Sequence, residues 1–193
     1  MKSLQQHISE KLVITKNYMK YKYSPKTPDE LITIIKERYD KLGHGTKDEP
    51  IDFNDIGVSQ ITSFFDTKNQ VGIFEKTKFE YIDVSAWDVS NVINMNSTFR
   101  GCQFLKELDL SNWNVSNVTN MGGMFTECKI LKKLDLSTWN VSNVADMYSM
   151  FRGCSSLKEL DLSNWNISNV EDMFLIFDGC KREILPDWYK NRK

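Results

Sequence analysis

Leu105-Lys106-Glu107-Leu108-Asp109-Leu110-Ser111-Asn112-Trp113-Asn114-Val115-Ser116-Asn117-Val118-Thr119-Asn120-Met121-Gly122-Gly123-Met124-Phe125-Thr126-Glu127-Cys128 is the stretch whose reading decides the fold. Most of it recurs 26 residues on, and residues 109–134 match 135–160 at 16 of 26 positions. Four columns keep the same interval: Trp87, Trp113, Trp139 and Trp165; Met95, Met121, Met147 and Met173; Phe99, Phe125, Phe151 and Phe177; and Cys102, Cys128, Cys154 and Cys180. A fixed period of this length marks units that bury their apolar faces only against their neighbours.

Within one unit, Leu108 and Leu110 alternate with Glu107, Asp109 and Ser111, the period-2 pattern of a short strand. Val118, Met121, Phe125 and Cys128 then follow at spacings that share one face of a helix. Ser116 or Asn117 suits its N-cap, and Gly101, Gly153 and Gly179 suit a left-handed exit, with Glu127 as the exception. The expected fold class is an α/β solenoid. It would be a right-handed, leucine-rich-repeat-like stack of about five 26-residue strand-plus-short-helix coils, with a helical N-terminal cap.

The columns extend upstream. Ile51, Phe53, Ile56, Val58, Ile61 and Phe64 match Ile82, Val84, Trp87, Val89, Val92 and Met95 at an offset of 31. About five extra residues therefore lie between 65 and 78, read as a bulged helical side. The expected organisation is a cap over 1–50, a repeat region over 51–180 (degenerate coil 51–78, regular coils 79–180) and a C-terminal cap over 181–193. In the first cap, Thr27-Pro28-Asp29-Glu30 predicts a helix start and Gly43 its end. A weaker helix is expected over Ser3–Val13, and an edge strand where Met19, Tyr21 and Tyr23 alternate with lysines. In the last segment Pro186 suits a sheet edge.

The string from Leu108 to Met121, followed by Met-Phe and Cys, closely resembles the repeat of bacterial surface proteins, the BspA-like leucine-rich repeats, over residues 79–180. That resemblance implies a leucine-rich solenoid, a binding role of the kind implicated in adhesion, and no catalytic residues. Its surface members are secreted proteins or lipoproteins. Here the first residues, Met1-Lys2-Ser3-Leu4-Gln5-Gln6-His7, show neither a signal-peptide core nor a lipidation cysteine, so a cytoplasmic location is the default expectation.

Composition narrows the function. The 193 residues carry 25 basic and 26 acidic groups, which argues against nucleic acid as partner. The balance is uneven: residues 1–50 hold 10 basic and 7 acidic groups, 51–180 hold 10 and 17, and 181–193 hold 5 and 2. No apolar run is long enough to span a membrane. Both histidines, His7 and His44, lie outside the repeats, and no nucleophile–base pair or phosphate-binding glycine motif is visible. No catalytic residue, cofactor or metal site is expected.

The cysteines read as small core groups, because no paired C-x-x-C turn supplies metal ligands. The tryptophans read as core, with an exposed aromatic strip as the alternative. Asp52, Asp83, Asp109, Asp135 and Asp161 form an acidic column. Like charges in a row repel, so lysines, hydroxyls or turn N–H groups must hold them. The candidate binding face is Asp83, Glu107, Asp109, Lys133, Asp135, Glu159 and Asp161. The expected function is non-catalytic recognition of a protein or other macromolecule through that strand-side face. The alternatives are a calcium-binding or cryptic hydrolytic protein using the acidic column, or a structural or assembly subunit, for which oligomers are an option.

Overall fold

The computed structural model describes residues 21–191. The expected helix over Ser3–Val13 and the Met19 end of the expected edge strand lie outside them. Helix α1 (Pro28–Leu42) starts as the capping box predicts. The Thr27 hydroxyl accepts from the Glu30 N–H at 3.2 Å, while the Glu30 carboxylate accepts from the Lys26 N–H at 2.7 Å. Gly43 ends it in a left-handed conformation, φ 75°, donating its N–H to the Tyr39 carbonyl. Leu31, Ile32 and Ile35 form its buried face. Of the edge strand, Tyr23 makes a single parallel bridge to Ile56.

The repeat region corrects the expected fold class. No coil carries a helix: besides α1, the described residues hold a 3-10 turn at Arg182–Ile184 and a one-turn helix α2 at Asp187–Lys190, both beyond the last repeat. Nor is there a continuous parallel sheet. Among the described residues six strands of two or three residues form three separate two-stranded sheets. Strands β1 (Ile51–Asp52) and β4 (Ile82–Asp83) pair in parallel, as do β5 (Lys133–Asp135) and β6 (Glu159–Asp161). Strands β2 (Phe65–Asp66) and β3 (Val71–Gly72) form an antiparallel hairpin. An α/β solenoid of strand-plus-helix coils is therefore not what this chain forms; its units are built from turns.

The segment expected to be helical shows why. Val118, Met124, Cys128 and Leu131 each donate to the carbonyl three residues back, giving separate tight turns. Alternate N–H groups leave the unit: Met121 donates to Asp146 O, Gly123 to Tyr148 O, Phe125 to Met150 O and Glu127 to Arg152 O, at 2.7–2.9 Å. The same set recurs from the preceding unit and into the following one. Two residues per unit are left-handed: Ser97 and Gly101, Gly123 and Glu127, Ser149 and Gly153, Leu175 and Gly179. An α-helix admits neither the outward N–H groups nor the positive φ. Glu127, at φ 62°, takes the same left-handed turn as its glycine counterparts.

Between units the core columns meet like with like. Phe99, Phe125, Phe151 and Phe177 face one another with centroids 5.4–5.7 Å apart and planes within 8°. All the Trp, Met and Cys positions from 87 to 165 are buried. Each indole N–H donates to a carbonyl of the preceding unit, as Trp113 does to Val84 O at 3.1 Å and Trp139 to Leu110 O at 3.2 Å. This places the tryptophans in the core and removes the exposed-strip alternative.

The five-residue excess upstream is not a bulged helical side. Ser63 bridges Asn94, an offset of 31, whereas Phe74 stacks on Phe99, an offset of 25. The β2–β3 hairpin lies between these points and takes up the difference. At the other end Pro186 sits before α2 rather than on a sheet edge. Trp188 and Tyr189 pack on Phe177, and the Trp188 indole donates to Leu162 O at 3.4 Å.

Candidate functional site

Each aspartate of the acidic column is held by its own turn. The Asp109 carboxylate accepts from the Ser111 N–H at 3.0 Å and the Ser111 hydroxyl at 2.7 Å. Asp83 and Asp135 do the same with Ser85 and Ser137, and Asp161 accepts from the Ser163 N–H. Asx turns of this kind are local devices that need no ligand. The Ser137 hydroxyl, then its N–H, holds the Asp135 carboxyl below the usual range, and the Ser163 N–H does this for Asp161. Partial burial opposes the effect at Asp83, but the Ser85 donors outweigh it.

The seven candidate residues lie on the Leu-side surface, but not as one continuous sheet face. Tyr81 bridges Glu107, and Lys133, Leu134 and Asp135 pair with Glu159, Leu160 and Asp161. Between these pairs the ladder stops. Among the described residues no backbone hydrogen bond joins 106–110 to 132–136. An open depression of about 550 Å³ lies there, lined by Lys106, Glu107, Asp109, Lys132, Lys133 and Asp135. Leu108 on its floor is 8% exposed, where the equivalent Leu134 is 2%.

The ion pairs point away from this gap. On one rim Lys106 pairs with Glu80 at 2.5 Å and Glu107 with Lys47 at 2.8 Å; on the other Lys133 pairs with Glu159 at 3.2 Å. The hydrogen bond from Lys106 lowers the Glu80 carboxyl, and Glu107 likewise raises the Lys47 ammonium. These are exposed pairs of small energy, but they leave the two rims unbridged. Asp109, Asp135, Glu107 and Lys133 thus come together around one depression. Asp83 and Asp161 lie on the outer pairs.

Reading the repeat as a helix hid another row. Asn94, Asn120, Asp146 and Asp172 bridge in parallel through four units, and the Asn120 amide donates to the Asp146 carboxylate at 3.0 Å. A sequence signal existed: Gly122-Gly123 inside a supposed helix, Gly123 sharing its column with Ser97, Ser149 and Leu175. The asparagines after the turns tie units together. Asn91, Asn117, Asn143 and Asn169 donate to the carbonyls of Ser59, Ser90, Ser116 and Ser142 at 2.7–2.9 Å.

The thiols are free and sealed. Cys102, Cys128 and Cys154 are buried and Cys180 is half-buried. Each points its Sγ at a phenylalanine carbonyl one unit back, 3.0–3.2 Å away. Burial pushes the Cys102 thiol up to about 12 and the Cys180 thiol to about 11, and raises the other two. Among the described residues no cluster of three or more His, Cys, Asp or Glu side chains is placed to hold a metal ion. Among them, too, no helix is long and apolar enough to cross a membrane.

No curated protein and no solved structure matches the chain significantly. A family model does match, over residues 59–188, and its description is "Mycoplasma protein of unknown function, DUF285". The match takes in all the regular units, the Asp column from Asp83 onward and the gap between Glu107 and Lys133, and the chain belongs to this DUF285 family.

Proposed function

We propose that the protein is a non-catalytic recognition module that binds a protein partner of mixed charge across the gap at Glu107, Asp109, Lys133 and Asp135. The observation that carries this reading is the interruption of the Leu-side ladder, with both charge signs on the rims and, among the described residues, no ion pair across them. A partner laid across the depression meets Lys132 and Lys133 on one side and Asp109 on the other. The frame is built before binding, so little ordering cost falls on association. The likeness of Leu108–Met121 to the repeats of BspA-like bacterial surface proteins supports the same reading and suggests adhesion as its setting. The local Asx turns of the Asp column, which already engage the carboxylates, favour recognition over calcium binding.

The test is an array of mixed-charge peptides screened with the wild-type chain and with an Asp109→Asn/Asp135→Asn/Lys132→Ala variant. Asparagine keeps the oxygen that accepts from Ser111 and Ser137, so the fold is retained and the melting temperature should hold. Loss of the wild-type binders in the variant is the expected result. An identical set of binders, or none for either protein, removes the gap as the recognition site.

A further inference from the structure

The end of the repeat row formed by residues 172–179 differs from every edge before it. In the earlier units four N–H groups leave the unit for the carbonyls of the next, one from the Met and three from alternate residues after it, and the last three concern this edge. Ser97, Phe99 and Gly101 donate to Gly122, Met124 and Thr126, and Ser149, Phe151 and Gly153 donate to Phe174, Ile176 and Asp178. The equivalents of these three in the last unit are Leu175, Phe177 and Gly179, and their N–H groups make no hydrogen bond to any described residue. Leu175 and Gly179 keep the left-handed φ of 58° and 77° that aims the set outward in the other units. Beside them the Phe174 ring, 67% exposed, stacks on Tyr148 at 6.3 Å with its far side uncovered by any ring of the described residues. Glu171, Asp172 and Asp178 flank the edge and are exposed.

We propose that this edge is a second docking surface, which takes a basic segment of another protein as an added strand-like unit. The occupant is specified by continuity with the contacts between units. It offers three carbonyls at alternate positions to Leu175, Phe177 and Gly179, an aromatic ring over Phe174, and a cation near Asp178, as Arg152 already is at 3.1 Å from the other side. Main-chain bonds supply affinity in such edge additions and the side-chain positions supply selectivity. A second copy of this chain does not fit. Two such edges facing each other set donors against donors. At the opposite end of the row Glu75 stands where later units carry Arg100 and Arg152, so a second copy laid head to tail would set a carboxylate against Asp178. The inner position over Phe177 is filled by Tyr189, 4.9 Å away, so the occupant needs no side chain there. This surface lies apart from the Leu-side gap and does not rest on it.

The probe is a fluorescent peptide of residues 147–153 carrying Phe151→Gly, which supplies the carbonyls of Tyr148, Met150 and Arg152 together with their side chains. It is titrated into the full chain, with amide hydrogen exchange followed by NMR. The expected result is saturable binding that slows exchange at Leu175, Phe177 and Gly179 by at least about tenfold. Phe174→Asp, at an exposed position, should weaken binding by at least about tenfold with an unchanged melting temperature. Asp109→Asn/Asp135→Asn should bind the peptide as wild type does. No binding at about 1 mM peptide, binding without protection of those three amides, or loss of binding in Asp109→Asn/Asp135→Asn overturns the proposal. Protection that appears without peptide as protein concentration rises assigns the edge to self-association and overturns it as well.

Discussion

The Met-Phe-Cys side and the Leu-Asp-Leu side of each unit are both half of the repeat, yet they are joined to their neighbours in different ways. On the first, bridges run unbroken from Ser63 through Asn94, Asn120 and Asp146 to Asp172, backed by the phenylalanine row and the thiols. On the second, pairing comes in separate pieces, with an opening between Glu107 and Lys133. Cross-linking backbone and buried rings thus concentrate on one side, while the other is left free to carry charge. Rigidity and recognition are divided between two faces of the same 26 residues.

Thiol chemistry gives the sharpest test of the sealed side. The thiolate is the reacting form, so at pH 8 a shift from 9.0 to about 12 slows labelling of Cys102 by about a thousandfold before any steric block is counted. Cys180, raised to about 11, should be labelled first, as mass spectrometry of a maleimide time course will show. Equal, rapid labelling of all four would break the comparison. The same shifts fix a pH trend. The folded chain holds these protons more tightly than the unfolded one, so their contribution is fully present below about pH 9 and is lost as pH rises toward 11–12.

Phe125→Ala, in the middle of the ring row, should cost about 3–5 kcal/mol in urea unfolding. A loss below about 1 kcal/mol would mean that the row does not carry the side it lines. Asn143→Ala removes the donor to Ser116 O and should cost about 1 kcal/mol. Glu127→Gly relieves a left-handed non-glycine residue and should raise stability by about 0.5–1 kcal/mol, seen as a higher melting temperature. On the Leu side, Lys133→Ala breaks only an exposed pair with Glu159 and should change stability by less than about 0.5 kcal/mol. A larger loss there than at Phe125 would reverse the assignment of the two faces.

The inside of the molecule was legible from the columns, and the backbone path was not. Leu105, Leu110, Trp113, Val118, Met121, Phe125 and Cys128 are all buried as their spacing predicts. The error came from the same spacing. A series of four-residue turns, Val115 to Val118, Met121 to Met124 and Phe125 to Cys128, returns apolar groups inward at nearly the helical interval. Periodicity alone does not separate the two; left-handed positions at Gly123 and Glu127 do. A continuous parallel sheet does not follow from Leu-Asp-Leu alternation, which reports which face is buried, not whether neighbouring units close enough to bond. That left the gap invisible, although six of the residues around it were in the repeat columns. The edge at Leu175 was invisible for another reason: unbonded N–H groups have no residue signature.

The β2–β3 hairpin has a consequence for how this kind of chain tolerates change. Six residues of register are lost between Ser63 and Phe74, and every contact downstream keeps its phase. The exposed tip, Thr67 to Gln70, is therefore a place where length is uncoupled from the repeat. Extra residues added between Lys68 and Asn69 would be carried as cargo by an otherwise unaltered row, whereas one residue added between Met121 and Phe125 would break the alternate N–H bonds that this unit makes to both neighbours.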